Sequence, residues 1–438
     1  MKKNNQEGIT LIALIITIIV LLILAIVSIK IAIDGGLTTK AQEATLQHTI
    51  GAEKEAITTG YAAYQIDLAK NTKVTTPTIG EAGEARVTSN GEGWNVTFTK
   101  TNNEYELKKD GTITLIKQGN GTEILGDWKK NKDGTFTKGD ITLKIGDIIK
   151  YDEGKNYTWT TDASKGTGGD KNLISKTYTT EDMEWRVLGI NTKGEIELIS
   201  ENPTNSNLYL KGEDGYIHGE EQLNEMCNSL YGKGKYAIGA RSLNADDINK
   251  LTNYDPTTYE GYGEIYTYRF PINGDYMQYK ITKKDGTLIK DWTDIKDKYN
   301  QTFRMPGETE TISKNNRNDV GRNVENTYYY DYDVENEMKQ ITSDGKKMSE
   351  IILYGTKSST DYKYQWLASH FVYPSSSSVS FCIRNITDDG IGSEGITTKL
   401  YRANNEYPGI SSKYVRPVVT LKSDIQLSGN SKDGWTIN

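Results

Sequence analysis

The chain is poor in the residues from which most active sites are built. Histidine occurs three times in 438 residues, at His48, His218 and His370, and cysteine twice, at Cys227 and Cys382. No pair of histidines stands at metal-ligand spacing and the cysteines form no zinc pattern, so no metal centre is expected. Two cysteines also exclude a disulfide-dense scaffold. They could form one bridge if the bulk of the chain lies outside the cell, or remain two buried thiols. A basic surplus is missing too: the formal net charge is −7 and the isoelectric point about 5.4, so nucleic acid is not an expected partner. The sequence holds no P-loop, Gly-x-Ser-x-Gly or dinucleotide fingerprint. Ser343-Asp344-Gly345-Lys346 fits Ser-x-x-Lys in form, but the Asp-Gly inside it signals a turn. Asp331-Tyr332-Asp333-Val334-Glu335 could offer alternate carboxylates to calcium, yet it lacks the glycine and closing glutamate of an EF-hand loop. No enzyme and no cofactor are expected. Phenylalanine is scarce as well, 6 residues against 29 tyrosines, with 42 glycines. That balance suits strand-and-loop domains with wet, hydrogen-bonding surfaces, because tyrosine joins an apolar face to a polar tip.

What is present begins with an uncharged run from Gly8 to Ile29. At about 1.5 Å per residue a helix of this length crosses a hydrocarbon core. A secretory signal peptide would have an apolar region of roughly 7–15 residues and a small-residue cleavage site, whereas Lys30-Ile31-Ala32-Ile33-Asp34 follows here. A plain anchor accounts for the length, with Lys2 and Lys3 holding the N-terminus in the cytoplasm. It leaves unexplained the junction Glu7-Gly8-Ile9-Thr10-Leu11-Ile12, where a short polar leader ends in glycine before the apolar run.

That junction resembles the leader-peptidase site of type IV pilins and type II secretion pseudopilins. The resemblance implies cleavage after Gly8 and methylation of the new N-terminal residue, Ile9. It departs from the family at the fifth mature position, usually a glutamate that neutralises a neighbouring N-terminus in the dry filament core; here it is Ala13. Losing an ion pair in a low-dielectric medium weakens packing between neighbours, which fits a rarer subunit or a processed protein that stays anchored.

Beyond Asp34-Gly35-Gly36 the residues from Leu37 to about Lys70 place small apolar side chains among charged ones and are expected to form a second helical stretch packed under a sheet. Short alternating runs follow at Ala85–Thr88, Trp94–Phe98, Tyr105–Leu107 and Thr112–Ile116, punctuated by Asn90-Gly91 and Asp110-Gly111. Both dipeptides favour tight hairpins. A helix followed by such a meander resembles the pilin globular head, and Gln118-Gly119-Asn120-Gly121 reads as a linker. Further strands are expected near Thr135–Thr137, Ile141–Ile145 and Ile148–Tyr151, then a hairpin of Trp185–Ile190 with Glu195–Ser200. Helices are expected over Glu220–Tyr231 and Ala245–Leu251, the second capped by Ser242 or Asn244. Residues 253–361 loosen into Tyr, Asn, Asp and Gly, reading as long loop with isolated strands at Tyr266–Tyr268 and Tyr279–Ile281.

The closing segment carries Gln365-Trp366-Leu367-Ala368-Ser369, Ser378–Arg384, Lys399–Tyr401 and Tyr414-Val415-Arg416-Pro417-Val418-Val419-Thr420-Leu421. This set resembles the C-terminal half of C-type-lectin-like folds of bacterial surface proteins and of the diversified binding proteins of diversity-generating retroelements. Such a fold would present exposed side chains between buried anchors. The candidates for ligand binding are Trp366, Tyr373, Arg384, Asn385, Tyr401, Arg402, Asn404, Asn405 and Tyr407, with Ser375 and Ser376 beside them. Aromatic and Asn/Ser-rich loops can act as an adaptable paratope, or can be ordinary solvated loops.

The expected fold class is therefore α+β, in four parts: a leader over residues 1–8, a transmembrane and assembly helix over 9–33, a pilin-like head over 34–118, and an extracellular α+β binding domain over 119–438. The resemblance implies a single-pass membrane protein with its C-terminus outside. Its partners would be the membrane, a prepilin peptidase, other pilin or pseudopilin subunits, and an extracellular protein or glycan ligand. An anchored receptor that never assembles is the alternative. An enzyme acting on wall polymers would require carboxylates such as Glu201, Asp214 and Glu225 to meet in a cleft.

Overall fold

The structure is a computed structural model that describes residues 37–70, 73–119, 122–296, 302–317, 321–328, 334–355, 364–376, 378–387, 390–399 and 409–438, with side chains described from 48 onward and not over 392–399. The fold is α+β, mostly sheet with few helices, in two compact units that divide between Ile124 and Leu125. The apolar run from Gly8 to Ile29, and with it the junction at Gly8 and Ile9, lies outside the described residues. Among those that are described, no helix is long and apolar enough to cross a membrane.

The first unit joins helix α1 (Leu37–Ala69) to an antiparallel meander of β1 (Ala85–Ser89), β2 (Gly93–Phe98), β3 (Glu104–Lys108) and β4 (Ile113–Lys117). The hairpins turn at Gly91 and Gly111, whose φ values of 87° and 89° are the left-handed conformation that glycine adopts without a Cβ clash. Ile50, Glu53 and Ile57 share one face of α1 at three- and four-residue spacing and are buried with Trp94, Val96, Phe98, Tyr105 and Leu107. A helix carrying a carboxylate on its core face must satisfy it. Glu53 does so by accepting from Thr101 Oγ1 at 2.5 Å, Asn103 Nδ2 at 2.8 Å and the Tyr105 hydroxyl at 2.6 Å. Burial, and then the bond to Glu53, push the Tyr105 hydroxyl pKa well above its usual value. Gly60 lets the chain cross the helix, because a Cβ there would stand 2.3 Å from the Thr78 carbonyl oxygen.

The second unit is built on a four-stranded antiparallel sheet in the order β5 (Trp185–Ile190), β6 (Ile196–Ser200), β17 (Pro417–Leu421) and β8 (Ala237–Ser242), and on a mixed sheet that places β7 (Asn207–Lys211) beside β16 (Ile410–Tyr414), then β13 (Gln365–Pro374), β14 (Val379–Thr387) and β15 (Gly390–Lys399). Between these strands in sequence come α2 (Gly212–Tyr231), β8 (Ala237–Ser242), α3 (Ala245–Thr252), β9 (Ile265–Arg269), β10 (Met277–Thr282), β11 (Leu288–Ile295), β12 (Arg322–Glu325) and α4 (Met348–Tyr354). The chain closes with β13 (Gln365–Pro374), β14 (Val379–Thr387), β15 (Gly390–Lys399), β16 (Ile410–Tyr414) and β17 (Pro417–Leu421). Neighbouring residues on one strand serve opposite cores: Val187, Leu198, Trp366 and Val419 pack with α2, whereas Leu188, Ile199, Leu367 and Val418 pack with α3 and α4. The strands are thus covered on both faces and read as near-continuous apolar runs.

The sheets differ from the sequence reading in three places. Helix α2 begins eight residues before Glu220, across Gly212, Gly215 and Gly219. These glycines lower helix propensity but let the helix lie close to the strands: a Cβ on Gly219 would meet Leu210 and Ile383 at 3.2 and 3.4 Å. Residues 253–361, although more loop than element among the described residues, are not a loop with isolated strands. They hold the antiparallel sheet β11-β10-β9-β12, with its own core of Tyr268, Phe270, Met277, Tyr279, Phe303 and Val324, and also helix α4. Its alternation is written in tyrosine and threonine rather than aliphatic residues, so it reads as polar. The Tyr414–Leu421 stretch is two strands in different sheets, broken at Val415-Arg416.

That break turns Arg416 inward. Its guanidinium is wholly buried, donating from Nε to Gln365 Oε1 at 2.7 Å and from Nη1 to the carbonyls of Ser200 at 3.1 Å and Glu201 at 3.2 Å. The Glu201 carboxylate in turn accepts from Arg186 Nε at 2.9 Å and Lys346 Nζ at 2.7 Å, and Arg186 also makes a two-pronged pair with Asp344. Ser343–Lys346 is a turn, and its lysine is spent on Glu201. Burial raises the Asp344 pKa, but the bonds from Arg186 and Thr342 and the charges of Arg186 and Lys346 outweigh it and hold the carboxyl at about 2.

Two outcomes follow from these buried groups. Glu53→Ala strands the Asn103 amide and the Tyr105 hydroxyl and is expected to cost the first unit about 2–4 kcal/mol, read as faster amide hydrogen exchange over Glu104–Lys108. Asp344 is more acidic folded than unfolded, where carboxyls titrate near ~3.9, so its stabilisation is complete above that pH and lost as the pH falls towards 2. An acid series of thermal unfolding should show this loss, and Asp344→Asn should flatten that part of the curve.

Candidate ligand-binding surface

Strand β13 leaves the core past Ala368 and carries Phe371 inward and Tyr373 to the surface, where Tyr373 is 44% exposed. The segment before residue 329 runs alongside: Thr327 N donates to the Val372 carbonyl at 3.0 Å, and Val372 N donates to Thr327 Oγ1 at 2.8 Å. This pairing sets the Tyr328 ring 4.9 Å from Tyr373, 5.5 Å from Phe371 and 5.3 Å from Tyr259, the last edge-to-face. Beneath them lies Arg384 of β14, fully buried, its guanidinium 4.7 Å from the Phe371 ring and 5.9 Å from Tyr328. Aromatic faces are the one apolar surface that can receive a desolvated cation favourably.

The strip continues into the β9–β12 sheet. Tyr266 stacks on Tyr279 at 6.3 Å with planes 8° apart. Burial pushes the Tyr266 hydroxyl up to about 12, with Glu264 and then Tyr373 adding to the shift. Tyr259, Tyr328, Tyr373 and Tyr266 therefore form a run of partly exposed phenols from four separate segments. Such a run can stack on rings and exchange hydrogen bonds through hydroxyls that both donate and accept, which is recognition chemistry rather than bond-breaking chemistry.

Of the residues chosen from sequence, Tyr373 stands on this surface and Arg384 directly under it. The structure corrects the roles of Trp366, Arg384, Asn385 and the two cysteines. Trp366 is fully buried and donates from Nε1 to the Leu208 carbonyl at 2.9 Å; it is a core residue. Arg384 and Asn385 are buried in the middle of β14 rather than displayed on a loop. Cys227 and Cys382 are both buried free thiols, not a disulfide; burial pushes the Cys227 thiol pKa up. Tyr401, Arg402, Asn404, Asn405 and Tyr407 lie outside the described residues, as do Asp331–Asp333. Tyr259 and Tyr328 were not legible as partners, being distant in sequence from Tyr373. The burial of Arg384 had a signal: Phe381-Cys382-Ile383 before it and Ile386 after it put apolar residues on both faces, the mark of a central strand.

Of the other ionisable candidates, His370, Glu201 and Glu225 are engaged elsewhere. His370 sets Nδ1 2.9 Å from Glu220 and Nε2 against the Tyr216 carbonyl, tying β13 to α2. Glu201 is held by Arg186 and Lys346, and Glu225 accepts from Gln222 Nε2 at 2.7 Å and pairs with Lys165. No group of three metal-ligating side chains occurs among the described residues.

Tyr328 and Tyr373 should separate in their effects. Tyr328→Ala removes the ring that covers Phe371 and Arg384 and is expected to destabilise the second unit by about 3 kcal/mol, whereas Tyr373→Ala should stay within about 1 kcal/mol, both read by thermal unfolding of the full chain. Compared with known proteins, the chain matches no protein-family model, no curated protein sequence and no solved structure.

Proposed function

We propose that the chain is a minor pilin- or pseudopilin-like subunit of a type IV pilus or type II secretion-like filament that displays a large ligand-binding domain outside the cell. The observation that carries this reading is the junction Glu7-Gly8-Ile9 ahead of an uncharged run reaching Ile29. A prepilin peptidase would cut after Gly8, and the apolar segment would first anchor the chain in the membrane and then pack against other subunits. The 33-residue helix lying on an antiparallel meander in the first unit supports the reading, since a pilin-like head is built in this way. The tyrosine strip with Tyr373 supports a binding role for the second unit, and adjacent strands bearing Trp366, Phe381 and Cys382 support its C-type-lectin-like character.

Ala13 favours a second reading, an anchored cell-surface receptor that is not assembled, because a subunit without a carboxylate at that position lacks the counter-charge for its neighbour's N-terminus. N-terminal peptide mass spectrometry of membrane and sheared surface fractions separates the two. A chain starting at N-methylated Ile9 in sheared material is expected; a chain still starting at Met1 and confined to membranes would overturn the filament reading.

A further inference from the structure

The β11-β10-β9-β12 sheet has two unlike faces. Tyr268, Met277, Tyr279, Ile281 and Val324 are buried on one. The other carries Thr267 and Arg269 of β9, Gln278 and Lys280 of β10, Trp292 of β11 and Asn323 of β12, half-buried or exposed. The Arg269 guanidinium lies 3.4 Å from the Trp292 ring centroid, and Lys280 Nζ lies 5.2 Å from the same ring.

This trio has unspent bonding capacity. Among the described residues Arg269 makes no hydrogen bond or ion pair, and its Nε is shut off from solvent with no acceptor. Lys280 likewise faces no carboxylate there, and the Trp292 indole N–H meets no acceptor. Of the acidic groups on the same rows, Glu325 pairs with Lys284 at 2.6 Å, and Asp294 accepts from the neutral Gln278 Nε2 at 2.8 Å and keeps its charge. The Arg269 Nη nitrogens are not sealed in as its Nε is and keep bonding capacity for a ligand oxygen. Among the described residues the two cations on the tryptophan outnumber the one carboxylate, Asp294, that lies on these rows without a cation of its own, and the surplus calls for an anion next to a flat apolar patch. On either side the surface is neutral and hydrogen-bonding, with Thr267 Oγ1 donating to Asn323 Oδ1 at 2.8 Å.

We propose that this outer sheet face is a binding site for a carboxylate-bearing glycan. A sugar ring offers C–H groups to the half-buried Trp292 ring, its hydroxyls match the amide and hydroxyl groups of Thr267, Gln278 and Asn323, and its carboxylate takes the Nη nitrogens of Arg269 with Lys280 as second cation. A bare polyphosphate would use the cations but not the tryptophan. The site shares no residue with the tyrosine strip and does not depend on the filament reading.

The test is affinity electrophoresis of the detergent-solubilised full chain in gels containing polygalacturonate, its methyl ester, or neither. Retardation by polygalacturonate and loss of retardation with the uncharged ester are expected. Trp292→Ala and Arg269→Gln should each weaken binding by about tenfold, while Ile174→Ala, at an exposed apolar residue of neither surface, keeps it. Lys280→Ala, a change at a solvent-facing position, guards against misfolding of the first two variants and should weaken binding by about threefold with unaltered thermal unfolding. No retardation of the parent chain, equal retardation by the methyl ester, displacement by oligothymidylate at equal charge concentration, or full binding by well-folded Lys280→Ala would each overturn the proposal.

Discussion

The second unit depends on a buried cation network. Arg416, Arg186 and Arg384 are among its most deeply buried side chains, and a guanidinium cannot shed its charge as a lysine can. Each must therefore find acceptors or aromatic faces inside the protein, and finding them fixes the geometry of several segments together. Arg416 holds the end of β6 against the start of β13, and Gln365 passes the connection on to the Ile352 carbonyl of α4. Arg186 and Lys346 close on Glu201, so that the same turn after β6 is held by its backbone and by its carboxylate. Burial drives the Arg416 pKa down, opposed by the charge of Glu201. An ion network of this kind adds little net stability over a well-packed apolar core, but losing one member leaves uncompensated charge; it selects one strand arrangement against others.

The first unit solves a similar problem with one carboxylate. Glu53 stands where α1 would otherwise present a third apolar residue, and its three hydrogen bonds reach the β2–β3 turn and β3 itself. The helix is thus tied in rotation and in position along its axis. Apolar contacts from Ile50 and Ile57 supply burial without such direction.

Both surfaces implicated in recognition stem from the region between α3 and β13, which supplies Tyr259, Tyr266, Tyr328, Arg269, Lys280 and Trp292. This region reads as weakly ordered because its apolar faces are tyrosines. A phenol can line a core through its ring and still offer a hydroxyl at the rim, so one sheet can be apolar on one side and hydrogen-bonding along its edge.

Local chemistry in the sequence determined much of the secondary structure. Period-two alternation located β1 to β6, the Asn-Gly and Asp-Gly pairs located the first hairpins, and Asn244 with Asp247 made the capping box of α3. These signals act over a few residues and carry their own energy. Composition alone also set the signs of the charge balance and the scarcity of histidine and cysteine. Tertiary structure decided what pattern cannot encode. It made Arg384, Asn385 and Trp366 interior residues, turned Val415-Arg416 into a break between two sheets, extended α2 across three glycines, and brought Tyr259 and Tyr328 to Tyr373. In each case the deciding term was a contact between segments distant in the chain, because burial of a charge or a ring depends on which other strands arrive to cover it.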